Sequence, residues 1–146
     1  MPETSMQVGF YHLTRDPLPA VVAQLAAKVR QADERLLVVA EEEPVRDAIS
    51  DALWQAEGFL ANGELHPARQ PILLSGACDA ENAARWAMFA DGRWHEAASD
   101  FERVFLLFDD ATIRDARRLW SDFRSRGDVM FAAYRQGDNG RWTEVS

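Results

Sequence analysis

Arg103-Val-Phe-Leu-Leu-Phe-Asp-Asp-Ala-Thr-Ile-Arg-Asp-Ala-Arg-Arg-Leu-Trp-Ser-Asp-Phe-Arg-Ser-Arg-Gly127 reads as a strand running straight into a helix. The unbroken apolar run from Val104 to Phe108 is that of a strand buried on both faces, as in a parallel sheet. Residues 111–126 then follow the period of an amphipathic helix. Asp110 suits its N-cap, and Gly127 sits where a left-handed residue would stop it. At roughly 100° per residue, Ile113, Ala116, Leu119, Trp120 and Phe123 share one arc. Arg114, Arg117, Arg118 and Arg124 gather in the next arc, about 120° wide, beside Trp120 and Ile113. A core-facing helix requires the apolar arc but not four arginines on one flank. Helix geometry leaves two readings of that flank. It is a solvated face, partly complementing the helix C-terminus, or it is a binding surface for acidic peptide or nucleic acid.

Outward from this stretch, buried runs and amphipathic runs alternate. Residues 6–13, with Val8, Phe10 and Tyr11, read as a first strand, broken by Thr14-Arg-Asp-Pro17. Val21, Val22, Leu25, Ala26 and Val29 give residues 18–31 a helical apolar stripe. Residues 35–40 form a second buried strand. Glu41-Glu-Glu-Pro44 opens a helix reaching residue 56, with acids and proline where a helix start favours them. Residues 59–61 read as a short extended piece, 62–70 as a loop, and 70–75 and 86–90 as strands joined by the polar connection 76–82. Residues 96–101 form a short helical or irregular link. Residues 128–136 and 141–145 flank the turn Gly137-Asp-Asn-Gly140 and predict a terminal hairpin. The pattern predicts one α/β domain over residues 1–146. It is a three-layer α/β/α sandwich with a mostly parallel central sheet, and the C-terminal β-hairpin adds antiparallel edge strands.

Composition narrows the function. The chain has 146 residues, 47% of them apolar, enough for one core. Its net charge of −8 argues against strong direct nucleic-acid binding, whose nonspecific part comes from phosphate neutralisation, so any anion site must be local. Cys78 is the only cysteine, which excludes an internal disulfide or a cysteine metal cluster; Asp79 and Glu81 nearby should raise its pKa. His12, His66 and His95 lack a metal-ligand spacing. The chain contains no glycine-rich phosphate loop and no serine elbow around Ser75. No catalytic set, metal or cofactor is therefore expected. The alternative is a divalent-metal enzyme acting on phosphorylated substrates through Asp109 and Asp110, which follow their strand as the magnesium-holding acids of ATPases do. Residues 1–7 lack a signal-peptide pattern and no apolar run reaches membrane-spanning length, so a cytoplasmic location away from membranes is expected.

The ordered features resemble the chi subunit family of bacterial DNA polymerase III, a clamp-loader accessory subunit. The resemblance is carried by Val8-Gly-Phe-Tyr-His-Leu13, by Leu36-Leu-Val-Val-Ala40 with its following acids, and by the helix ending Ala52-Leu53-Trp54. It continues through Gln70-Pro-Ile-Leu-Leu-Ser75 and the strand from Val104 to Phe108. Its most specific part is Ala116-Arg-Arg-Leu-Trp-Ser-Asp-Phe-Arg-Ser-Arg-Gly127 leading to Tyr134-Arg-Gln-Gly-Asp-Asn-Gly-Arg-Trp142. The resemblance implies a non-catalytic adaptor between the clamp loader's psi subunit and single-stranded-DNA-binding protein, whose acidic C-terminal tail ends in a phenylalanine carboxylate. It implies a tail pocket at an arginine three residues before an aromatic, here Arg117 and Trp120. Arg114 and Arg118 would extend the basic lip, Arg124 is a further candidate, and Leu106 would line the apolar hollow. Trp54 and Phe59 are the implied psi-side residues. Where the family pattern has Phe-x-Pro-His, this chain has Phe59-Leu-Ala-Asn62.

Overall fold

The computed structural model describes residues 6–145; residues 1–5 of the stretch read for a targeting signal lie outside the described residues. The elements in chain order are β1 (Gln7–His12), α1 (Leu18–Gln31), β2 (Leu36–Val39), α2 (Glu43–Gln55), β3 (Ile72–Ser75), β4 (Trp86–Phe89), β5 (Arg103–Phe108), α3 (Ile113–Arg126), β6 (Met130–Gln136) and β7 (Trp142–Val145). They build a seven-stranded sheet in the order β3-β2-β4-β5-β1-β6-β7. Strands β1 to β6 are parallel and β7 alone is antiparallel. The α/β class with a mostly parallel centre is thus as expected, with one correction at the C-terminal end. The hairpin does not add two antiparallel strands. β6 pairs parallel with β1 along its length, from Gln7↔Met130 to His12↔Arg135. The reason is that α3 is a crossover, and a crossover returns the chain in its original direction.

Strand side chains alternate between two apolar clusters, which is why the central strands are apolar throughout. On one face α1 and α2 bring Val21, Val22, Leu25, Ile49 and Leu53 onto Leu36, Val38, Leu74, Met88 and Leu107. On the other face α3 brings Ala116 and Phe123, with Leu119 and Trp120 half-buried beside them, onto Val8, Phe10 and Leu106. Irregular segments cover the rest of that second face with Ala84, Trp94, Ala98 and Phe101. Among the described residues, no helix is long and apolar enough to cross a membrane.

Local chemistry fixes several boundaries. The N-cap of α3 is Thr112, not Asp110. The Asp109 carboxylate accepts hydrogen bonds from the backbone N–H of Ala111 (3.0 Å) and Thr112 (3.1 Å) and from the Thr112 hydroxyl (3.1 Å). That turn uses Asp109 to start the helix and leaves Asp110 pointing elsewhere. Gly127 ends α3 at φ 73°, its N–H donating to the Phe123 carbonyl. Residues 59–61 contain no strand. The Phe59 N–H instead donates to the Ala56 carbonyl at 2.9 Å, and Phe59 itself holds φ 51°. In the polar connection before β4, Asn82 is 1% exposed. Its amide donates to the carbonyls of Leu36 and Gln70 and accepts from the N–H of Ala84, tying β2, β3 and the entry to β4 together.

Candidate functional site

β1 and β5 are neighbours in the sheet, yet the chain leaves them for opposite faces, from β1 into α1 and from β5 into α3. In parallel α/β sheets a crevice opens at such a divergence, beyond the carboxyl ends of the strands. Here it is a cavity of about 570 Å³. Phe10, Phe108, Ile113, Ala116, Trp120, Ala133 and Val145 supply its apolar surface, and Arg117, Arg135, His12 and Asp110 its charged and polar groups. That size and mixture suit a ligand with an apolar body and a few charged atoms.

The aromatic wall is held firmly. The Trp120 ring meets Phe10 edge-on at 5.2 Å and Phe131 edge-on at 4.5 Å. Phe10 also meets Phe123, which is fully buried under α3. Trp120 is therefore fixed from below by β1 and β6 while remaining partly exposed at the cavity. His12 lies flat on Phe108, at 4.9 Å and 6°, and its Nε2 is 3.1 Å from the Asp110 carboxylate. Asp110 is the one acid among the lining residues. Among the described residues, Arg114, Arg117, Arg118, Arg124 and Arg135 have no carboxylate within ion-pair distance. Arg46, Arg85, Arg93 and Arg126 each have one within 3.1 Å. In a chain with 24 acidic residues against 16 basic ones, these cations are left open to an external anion.

The structure brings Arg117 and Trp120 to one cavity. Arg114, Arg118 and Arg124 are exposed on the same helix and do not line it. Leu106 is 1% exposed. It sits side by side with Phe10 on the neighbouring strand and backs the cavity floor rather than lining it. His12, Asp110 and Arg135 were not legible as residues of this cavity, Asp110 reading in the sequence only as a helix cap or metal-holding acid, because strand order and not sequence spacing assembles them. The signals available were the polar residues His12 and Arg135 at or near the ends of their strands and, for Arg135, its place in the family-like stretch 134–142. Asp109 and Asp110 are committed to the helix start and to His12. Among the described residues, no three His, Cys, Asp or Glu side chains are placed to share a metal ion. The Cys78 thiol is pushed up to about 11, first by burial and then by Asp100 and Asp79. The direction is the expected one, but burial is the main cause and Glu81 is not among the others.

At the far side of the sheet, edge strand β3 is approached by the connection from α2. Trp54, on the last turn of α2, is 48% exposed, and Phe59 and Leu65 in the connection are 74% and 77% exposed. Phe59 and the preceding Gly58 both have positive φ, so an aromatic residue is held outward in a backbone region that disfavours it.

The family model for the DNA polymerase III chi subunit, HolC, matches residues 6–130. The match spans β1 through α3 and stops at the first residue of β6, so nearly all of the terminal hairpin lies beyond it. No curated protein matches the chain.

Proposed function

We propose an adaptor function, from the premise that the chain belongs to the DNA polymerase III chi subunit family. That family places it in DNA replication, as an accessory subunit of the replicative polymerase. In our reading it has no catalytic site of its own and works in the cytoplasm. It joins the clamp loader, through psi, to the acidic C-terminal tail of single-stranded-DNA-binding protein. The observation that carries this reading is the cavity lined by both Arg117, which has no carboxylate partner among the described residues, and the edge-held ring of Trp120. A tail ending in a phenylalanine carboxylate offers a ring for the hollow over Phe10 and a carboxylate for Arg117. Its upstream acids would run past Arg114, Arg118 and Arg124. The exposed side chains of Trp54 and Phe59 would take an apolar surface of psi.

Calorimetric titration with an acidic peptide ending in Phe tests the tail site. Arg117→Ala should weaken binding by roughly 1.5–3 kcal/mol, the range of a charge-assisted contact. Added salt should weaken wild-type binding as it screens the exposed arginines, and removing the final Phe should abolish most of the affinity. Tail affinity unchanged by Arg117→Ala would sink the assignment.

A further inference from the structure

We propose that Arg135 is a second carboxylate-gripping residue of this cavity, acting from the sheet as Arg117 acts from α3; the inference rests on the tail-binding reading above. These two are the only arginines among the lining residues, and they come from different elements. Arg135 pairs in register with His12 on β1. Alternation puts it on the same sheet face as Phe131 and Ala133, which pack in the cluster beneath α3. Its guanidinium thus approaches from the sheet side, beside His12. Neither arginine has an internal carboxylate partner among the described residues. The one lining acid, Asp110, is already engaged by His12.

The mount of Arg135 is rigid. Its carbonyl accepts from the Thr143 hydroxyl on β7. The next residue, Gln136, is buried, and its amide donates to the Asp16 carboxylate at 2.8 Å and the Gly140 carbonyl at 2.9 Å. A terminal carboxylate has two oxygens and about four lone-pair sites, enough for two guanidinium forks. Two cations converging on it from different elements accept a chain end and discriminate against an amide, which carries no charge. Arg135 would then be the reader of the free C-terminus. It lies in the hairpin beyond the family-matched residues.

The test uses the intact chain and two acidic peptides of identical sequence ending in Phe, one with a free carboxylate and one amidated. For the free acid, Arg135→Ala should weaken binding about tenfold or more, with Arg135→Lys intermediate because it keeps the charge and loses the fork. For the amide, the same variant should change affinity by less than about twofold. Arg135→Gln serves as a second variant with its side-chain stem retained, and circular dichroism melting checks that each variant is folded. Equal losses on both peptides would show Arg135 meeting upstream acids and overturn the proposal. So would no loss from Arg135→Ala in a chain where Arg117→Ala does lose affinity. If wild type binds neither peptide, the tail reading falls and takes this inference with it.

Discussion

Tyr11 shows what a single buried group does in this sheet. Its ring stacks on Tyr134 at 4.8 Å and meets Trp142 edge-on, and its phenol is pushed up to about 12. Burial is the main cause and Tyr134 adds to it, while the Arg103 guanidinium opposes both. The folded chain holds this proton more tightly than the unfolded chain, which releases it near pH 10. The stabilisation is therefore complete below about pH 10 and is lost as pH rises to about 12, by on the order of 2–3 kcal/mol. Chemical denaturation between pH 9 and 12 should show this alkaline loss in wild type and a shallower one in Tyr11→Phe; parallel curves would contradict it. The role of Tyr11 was not visible in the chain, where it looked like any strand residue, because Arg103, Tyr134 and Trp142 reach it only through the sheet. Arg117 and Trp120 were visible as neighbours, since helical period alone sets them on adjoining arcs. His12, Asp110 and Arg135 were not, since they converge through the pairing of β5, β1 and β6.

The elements divide in the same way. Helices α1, α2 and α3 and the central strands could be read because their apolar periods differ, and α3 stops at Gly127 for the local reason that glycine tolerates a positive φ. What could not be read depended on side chains folding back on the backbone. Asp109 closes a turn with Thr112 and so moves the helix start two residues past Asp110. Phe59 turns where its neighbours suggested extension. Asn82 looked like one polar residue in a polar connection, yet it clasps β2 to the segments that lead into β3 and β4. Replacing it with Ala leaves the carbonyls of Leu36 and Gln70 and the N–H of Ala84 without its amide, at about 2–4 kcal/mol for a buried cluster of this kind. Thermal melting of Asn82→Ala should show the midpoint falling by several degrees. Asn82→Asp would also be destabilising, because a carboxylate cannot donate to either carbonyl. A midpoint unchanged in both variants would mean the clasp contributes nothing.

At the scale of the whole molecule, the two surfaces proposed for partners lie toward opposite sides of one sheet. The α3 cavity opens beside β1 and β6, and the exposed group of Trp54, Phe59 and Leu65 flanks edge strand β3. Between β6 and β3 stand four further strands, so at ~4.8 Å per spacing the two sides are separated by roughly 24 Å. That is well beyond the Debye length of about 8 Å at physiological salt, so charges at one surface barely act on the other. The intervening strands are packed with apolar side chains on both faces. In the proposed adaptor, this separation predicts that both partners bind at once without coupling. Psi bound at Trp54 and Phe59 should leave the affinity for the tail peptide within about twofold of its value in the free chain. Trp54→Ala and Phe59→Ala should weaken psi binding by about 1–3 kcal/mol each, as aromatic anchors do, and leave the tail titration unchanged. Arg117→Ala should do the converse. Because these aromatic side chains are exposed, their removal leaves the core intact, and the melting midpoint serves as the control. Competition between psi and the tail peptide for the chain would show the two surfaces to be one, and the bridging arrangement would fall.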